Sequence, residues 1–150
     1  MRCVQKKIWF FIFIIVVLIA LCVAFSASGT KMKRITIVFN NATVSADVAN
    51  TSADQKRGLS GRTKLGTGDG MWFAFPSDVG YGFWMNEMNF SLDMIWFDKD
   101  FKIIFIKENA TPESYPEVFG PKIPYRFVLE VPSGFVQKNS ISVGDVVSVK

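Results

Sequence analysis

Leu92-Asp93-Met94-Ile95-Trp96-Phe97 is a short run in which Asp93 is the only polar residue, and Phe83-Trp84-Met85 stands just upstream of it. Alternation puts Asp93, Ile95 and Phe97 on one side and Leu92, Met94 and Trp96 on the other. Both sides are apolar, so the run reads as a strand covered on both faces, with Asp93 at least partly buried. An unpartnered buried carboxylate costs on the order of several kcal/mol. Asp93 therefore needs a justification. One is structural: a pair with Arg57 or Arg126, or hydrogen bonds from loop N–H groups. The other is functional, as a carboxylate at the floor of a cleft.

Outward from this strand, Phe101 to Glu108 pairs with it through the tight turn Asp98-Lys99-Asp100. Upstream, Arg34 to Phe39 and Ala42 to Val48 alternate as half-buried strands, with Asn40-Asn41 between them. Thr51 opens a short helix, with Asp54 as a variant of the capping box, and Gly58 closes it. Ser60 to Gly70 is a glycine-rich loop. It lacks the Lys-Ser/Thr of a phosphate-binding loop and leads into a strand, so it reads as a turn. Strands follow at Met71 to Phe75, closed by Pro76, and at Tyr81 to Met85. Glu108 to Pro124 is a proline-rich loop. Tyr125 to Val131 alternates, with Tyr125, Phe127, Leu129 and Val131 on one face and Arg126, Val128 and Glu130 on the other. Ser133 caps a helical turn at Gly134 to Asn139, and Gly144-Asp145 leads into a last strand, Val146 to Val149. About eight short strands and two brief helices predict a mostly-β antiparallel sandwich or flattened, jelly-roll-like barrel.

The first 28 residues form a separate segment, leaving residues 29–150 as one domain. Every residue from Ile8 to Phe25 is apolar, about 27 Å at ~1.5 Å per residue, which matches a bilayer core. Arg2, Lys6 and Lys7 precede it and place the N-terminus inside. The segment is either an uncleaved anchor in the cytoplasmic membrane or a cleaved signal peptide. Both place the domain outside the cytoplasm, tethered in the first case and secreted or periplasmic in the second.

Of 17 basic residues, removing those three leaves 14 against 13 acidic ones. The exported part is nearly neutral, which argues against nucleic acid as a partner. Both cysteines, Cys3 and Cys22, lie in the first segment, so the domain has neither disulfides nor thiolate metal sites. With no histidine in the chain, imidazole-based triads and HExxH zinc sites are excluded. No cofactor or metal is expected.

The stretch from Asp47 to Val147 resembles the domain of unknown function 192 family. The resemblance is carried by Arg57-Gly58-Leu59, Gly70-Met71 with Phe73 and Phe75, Phe83-Trp84-Met85, Leu92-Asp93, Tyr125 with Val128-Leu129-Glu130, Gly134-Phe135 and Val143-Gly144-Asp145. Asn86 stands where the family usually has Lys, and Ser91 where it usually has Pro. The resemblance implies a compact mostly-β domain of the jelly-roll or sandwich type, and no established activity.

Candidate binding residues are Trp84 and Met85 as an aromatic and thioether cleft wall beside Gly80 and Gly82, with Asp93 and Arg57 as its polar floor. Glu130 and Tyr115 complete the set. Three functions remain open. The first is a membrane-tethered module binding a small molecule, glycan or peptide. The second is a histidine-independent hydrolase pairing Asp93 with Glu130. The third is an envelope protein with no ligand site, in which Asp93 is sealed.

Overall fold

In the computed structural model, residues 32–150 are described, so the anchor or signal expected at residues 8–25 lies outside them. Seven strands form one sheet. They are β1 (Arg34–Val38), β2 (Thr43–Ala49), β3 (Asp69–Val79), β4 (Leu92–Phe97), β5 (Ile103–Ala110), β6 (Tyr125–Pro132) and β7 (Ser148–Val149). Two short helices, α1 (Ser52–Arg57) and α2 (Phe135–Lys138), accompany them. No helix among the described residues is long and apolar enough to cross a membrane.

The strand order is β5-β4-β6-β3-β2-β1-β7. The mostly-β expectation holds, but the architecture is a single sheet curled into a half-barrel rather than a two-sheet sandwich. Nor is the sheet wholly antiparallel, since β2 and β3 run parallel. The chain from Asn50 to Gly68 is long enough for the crossover that parallel pairing needs, although its helix has only six residues. The C-terminal run touches both edges of the sheet. Ile103 N–H donates to Asp145 O (2.8 Å) and Val147 N–H to Phe101 O (3.2 Å), while β7 pairs with β1. This shared partner draws the two edges toward each other.

Two apolar clusters cover the two faces. Ile37, Val44, Ala46, Trp72, Ile95, Phe97, Leu129 and Val131 pack on one, with Val136 of α2. Leu59, Met71, Phe73, Met85, Met94, Trp96 and Val128 pack on the other. The β4 strand is buried at every position, as its pattern predicts.

Local expectations fare unevenly. Thr51 caps α1, its Oγ1 accepting from Asp54 N–H (3.1 Å), and Gly58 ends it at φ 52°. Pro76 does not close β3. It sits where the register shifts between Ala74 and Val79, a stretch that requires no ladder N–H from it. Past that irregularity Tyr125 joins the cluster containing Val128, not the Phe127 side. Tyr81 to Met85 is no strand and pairs only through the bridge between Phe83 and Phe119. Gly134, not Ser133, occupies the N-cap of α2.

Gly70 is a close-packing point. A Cβ there would meet Val44 Cγ1 at 2.8 Å, Glu130 O at 2.9 Å and Leu129 Cδ1 at 3.1 Å. Gly70→Ala is expected to destabilise the domain by about 1–3 kcal/mol, read as a lower urea midpoint. An unchanged midpoint would show that the β3–β6 pairing yields freely there.

Candidate functional site

The cavity-forming face is the one that carries Met71, Glu130 and Met94. A single rung crosses the sheet as Arg34, Asp47, Met71, Glu130, Met94 and Lys107 on successive neighbouring strands. Glu130 thus lies between two fully buried methionines, which offer no strong hydrogen bond. Above it, the end of α1 and the segment from Tyr81 to Trp84 face each other across a cleft of about 220 Å³. Phe73 and Phe75 line it with Glu130, and Lys56, Arg57, Ser60, Phe83, Trp84 and Met88 form the walls and mouth.

Local sequence explains the walls. Gly58 takes φ 52° and ψ −133°, a conformation that L side chains rarely adopt, and so turns the helix end over against the Phe73 ring. Phe83 stands edge-on to Phe73 (centroids 4.9 Å) and to Trp96 (5.8 Å). The Tyr125 hydroxyl donates to Tyr81 O (2.6 Å), and burial pushes that phenol up to about 12, so it remains a donor. At one end the walls are laced together. Ser60 Oγ donates to Asn86 O (3.0 Å), Gly61 N–H to Glu87 O (3.0 Å) and Asn89 Nδ2 to Arg62 O (2.9 Å).

Glu130 is 5% exposed, and its Oε2 is buried without a hydrogen-bond partner among the described residues. Burial pushes its carboxyl up to about 8, against a smaller downward pull from the Arg62 guanidinium. At neutral pH the group is mostly an acid with a proton to donate. Arg62 itself is held by Asp47 (2.9 Å), which Arg34 also approaches (3.3 Å).

Of the residues singled out in the sequence, the cleft gathers Trp84, Arg57 and Glu130. Trp84 is 58% exposed at the mouth. Arg57 lines the mouth while its guanidinium pairs with Asp54 (2.6 Å). Three others are not in the lining. Met85 turns into the core, packed in the cluster that holds Leu59, Phe73 and Met94. Tyr115 is 51% exposed in the proline-rich loop. Asp93 is 0% exposed on the opposite sheet face, where it accepts from Asn109 N–H and Val136 N–H, each at 2.9 Å.

Neither arginine reaches Asp93, because Arg57 pairs with Asp54 and Arg126 with Asp78 (2.8 Å). Met94, not Asp93, stands opposite Glu130, so Asp93 and Glu130 project from opposite faces and form no carboxylate pair. Among the described residues no cluster of three or more carboxylates could hold a metal. Phe73, Phe75, Gln55 and Ser60 line the cleft without having stood out as site residues. The signal for the first two was their alternation with Met71, which places them on the Glu130 face.

The described residues form a mostly-β domain, one seven-stranded sheet curled into a half-barrel with two short helices. The chain is a member of the domain of unknown function 192 family, whose profile, described as uncharacterised ACR, matches residues 34–149. Two crystal structures are similar to it. One, from Sinorhizobium meliloti, is described as a "putative transcription regulator"; it shares 26% identity and a TM-score of 0.71 over 77% of this chain and 92% of that one. The other, a protein of unknown function from Novosphingobium aromaticivorans, shares 30% identity and a TM-score of 0.69 over 81% and 88%. No functionally curated protein matches the chain.

Proposed function

We propose that the protein is a membrane-tethered binding module outside the cytoplasm, whose cleft takes a ring-sized amphipathic group. The observation that carries this reading is Glu130, a buried carboxyl whose Oε2 has no partner, placed against an aromatic cleft. A fold that needed only a core would gain stability from an apolar residue there. Aromatic walls and a few convergent polar groups are the usual make-up of a ligand site. At about 220 Å³ the cleft falls below the roughly 300–1,000 Å³ of drug-sized pockets, so it suits one ring or the end of a longer molecule. The tether rests on the apolar run from Ile8 to Phe25 and its basic flank.

The test is Trp84→Ala in the full chain. Because Trp84 is largely exposed, stability should change by less than about 1 kcal/mol, while affinity for small aromatic compounds or monosaccharides falls roughly tenfold. Calorimetric titration reads the second and thermal melting the first. Equal affinities in the two proteins would remove the cleft wall from the function. Protease accessibility of the domain in spheroplasts, set against intact cytoplasmic controls, tests the tether.

A further inference from the structure

We infer that the cleft selects a small ring-bearing acid, an oxygen acceptor on its buried end meeting the Glu130 carboxyl and an anionic group at its other end meeting Lys56 and Arg57 at the mouth. This rests on the binding reading above and adds the polarity of the ligand. The side chains around Glu130 fix that polarity. Met71 and Met94 flank it on the neighbouring strands and Phe73 and Phe75 lie beside it, so the cleft is where its carboxyl can find a polar partner.

The charged groups near it are few and mostly engaged. Arg62 and Arg34 are held by Asp47, and Arg34 also by Asp69. Lys107, at the end of the same rung, lies 4.6 Å over the Phe119 ring. The Tyr125 hydroxyl is committed to Tyr81 O. Arg57 is shared with Asp54, and Lys56 makes no ion pair among the described residues. The cleft mouth therefore carries Lys56 and the Asp54-paired Arg57, a net single positive charge with Asp54 counted, and the floor one acid, which titrates about 8 and is mostly neutral at physiological pH. An ammonium ligand would meet repulsion on entry, whereas an anion would not. A neutral carboxyl donates its proton to a carbonyl, ether or hydroxyl oxygen.

The experiment uses the full chain in lipid nanodiscs, titrated calorimetrically at pH 6.5 and pH 9 with three probes. These are para-acetylbenzoate, acetophenone and para-(aminomethyl)acetophenone, which share a ring and a carbonyl and carry, in turn, an anionic, no and a cationic para substituent. The expected order of affinity is acid, neutral ketone, then amine. Wild-type affinity for acetophenone should drop about tenfold at pH 9 as Glu130 ionises. Glu130→Gln should abolish that drop, and Lys56→Ala with Arg57→Ala should bring the acid down to the level of the ketone. Tightest binding by the amine, or equal wild-type affinity for acetophenone at the two pH values, overturns the inference. Indifferent binding of all three probes that still depends on Trp84 overturns the inference and leaves the binding module standing. Failure of every probe beside Trp84-dependent binding of a monosaccharide overturns the inference alone, and failure of the probes and of monosaccharides alike overturns both.

Discussion

Glu130→Gln is expected to raise thermal stability at pH 8 and to leave it nearly unchanged at pH 4.5. The carboxyl is pushed from 4.5 to about 8 by burial between methionines. Between those values the folded chain holds a proton that the unfolded chain releases. Stability therefore falls as pH rises through this window, by about 1.4 kcal/mol per unit, and levels off above pH 8. The full effect is on the order of 5 kcal/mol, a large share of the roughly 5–15 kcal/mol that holds a domain together. Glutamine has nearly the same shape and hydrogen-bonding capacity as the protonated acid and does not titrate. Melting curves from pH 4.5 to 9 should slope downward for the wild type and diverge from the flatter Glu130→Gln curve. A gap on the order of 20 °C is expected at pH 8. Parallel curves would mean that Glu130 is solvated or partnered in solution, and the cleft floor would lose its distinguishing property.

This stability cost bears on function. A methionine or leucine at Glu130 would continue the apolar surface made by Met71, Met94 and Phe73. Retaining an acid there sacrifices stability at neutral pH, the pattern of residues kept for binding or chemistry. Trp96 Nε1 is the other buried side-chain polar atom without a well-formed hydrogen bond among the described residues; it lies on the same face, near enough to the Tyr125 hydroxyl to offset part of that phenol's upward shift. Both unpartnered buried side-chain atoms among the described residues thus fall on the cleft side of the sheet, while Asp93 on the other face accepts two N–H groups.

Period-two alternation made much of the sheet legible: Val44 and Ala46 of β2, Ile95 and Phe97 of β4, and Phe127, Leu129 and Val131 of β6 pack on one face as their spacing predicts, and Met94, Trp96 and Val128 on the other. The hairpin between β4 and β5 was readable from its Asp98 turn, where Asp98 Oδ1 accepts from Asp100 N–H and Lys102 N–H. The β2–β3 parallel pairing was not legible, since nothing within either strand states which neighbour it takes. The shift of Tyr125 to the other face was hidden too, because it depends on an irregularity in the partner strand β3. In the site, Trp84, Arg57 and Glu130 stood out by residue type and converge in the cleft. Asp93 stood out for the same reason, a carboxylate in an apolar strand, and lies on the other face. Alternation says which residues of one strand share a side. It does not say which sides of β4 and β6 coincide, and that register separates Asp93 from Glu130.

Asp93→Ala should destabilise the domain by about 4 kcal/mol while leaving the cleft's binding intact below the melting temperature. The carboxylate joins two elements that the chain sequence leaves far apart. Asn109 N–H comes from the end of β5, at a residue with φ 47°, and Val136 N–H from the first turn of α2, whose own N-cap, Gly134, has no side chain to offer. Removing the acceptor orphans both donors, at about 1–3 kcal/mol each, and leaves a cavity in a face that packs Ile95, Val131 and Val136. Asp93→Asn is expected to lose less, since one oxygen still accepts while its amide faces the second N–H. Amide hydrogen exchange should speed up first at Asn109 and Val136, ahead of the β3–β6 ladder. Acetophenone titration at low temperature separates this structural role from a binding one, because the cleft is on the other side of the sheet. A variant that keeps its melting temperature and loses acetophenone would return Asp93 to the site. A variant that melts early and still binds fixes it as the cap that ties α2 to the end of β5 on the face away from the cleft.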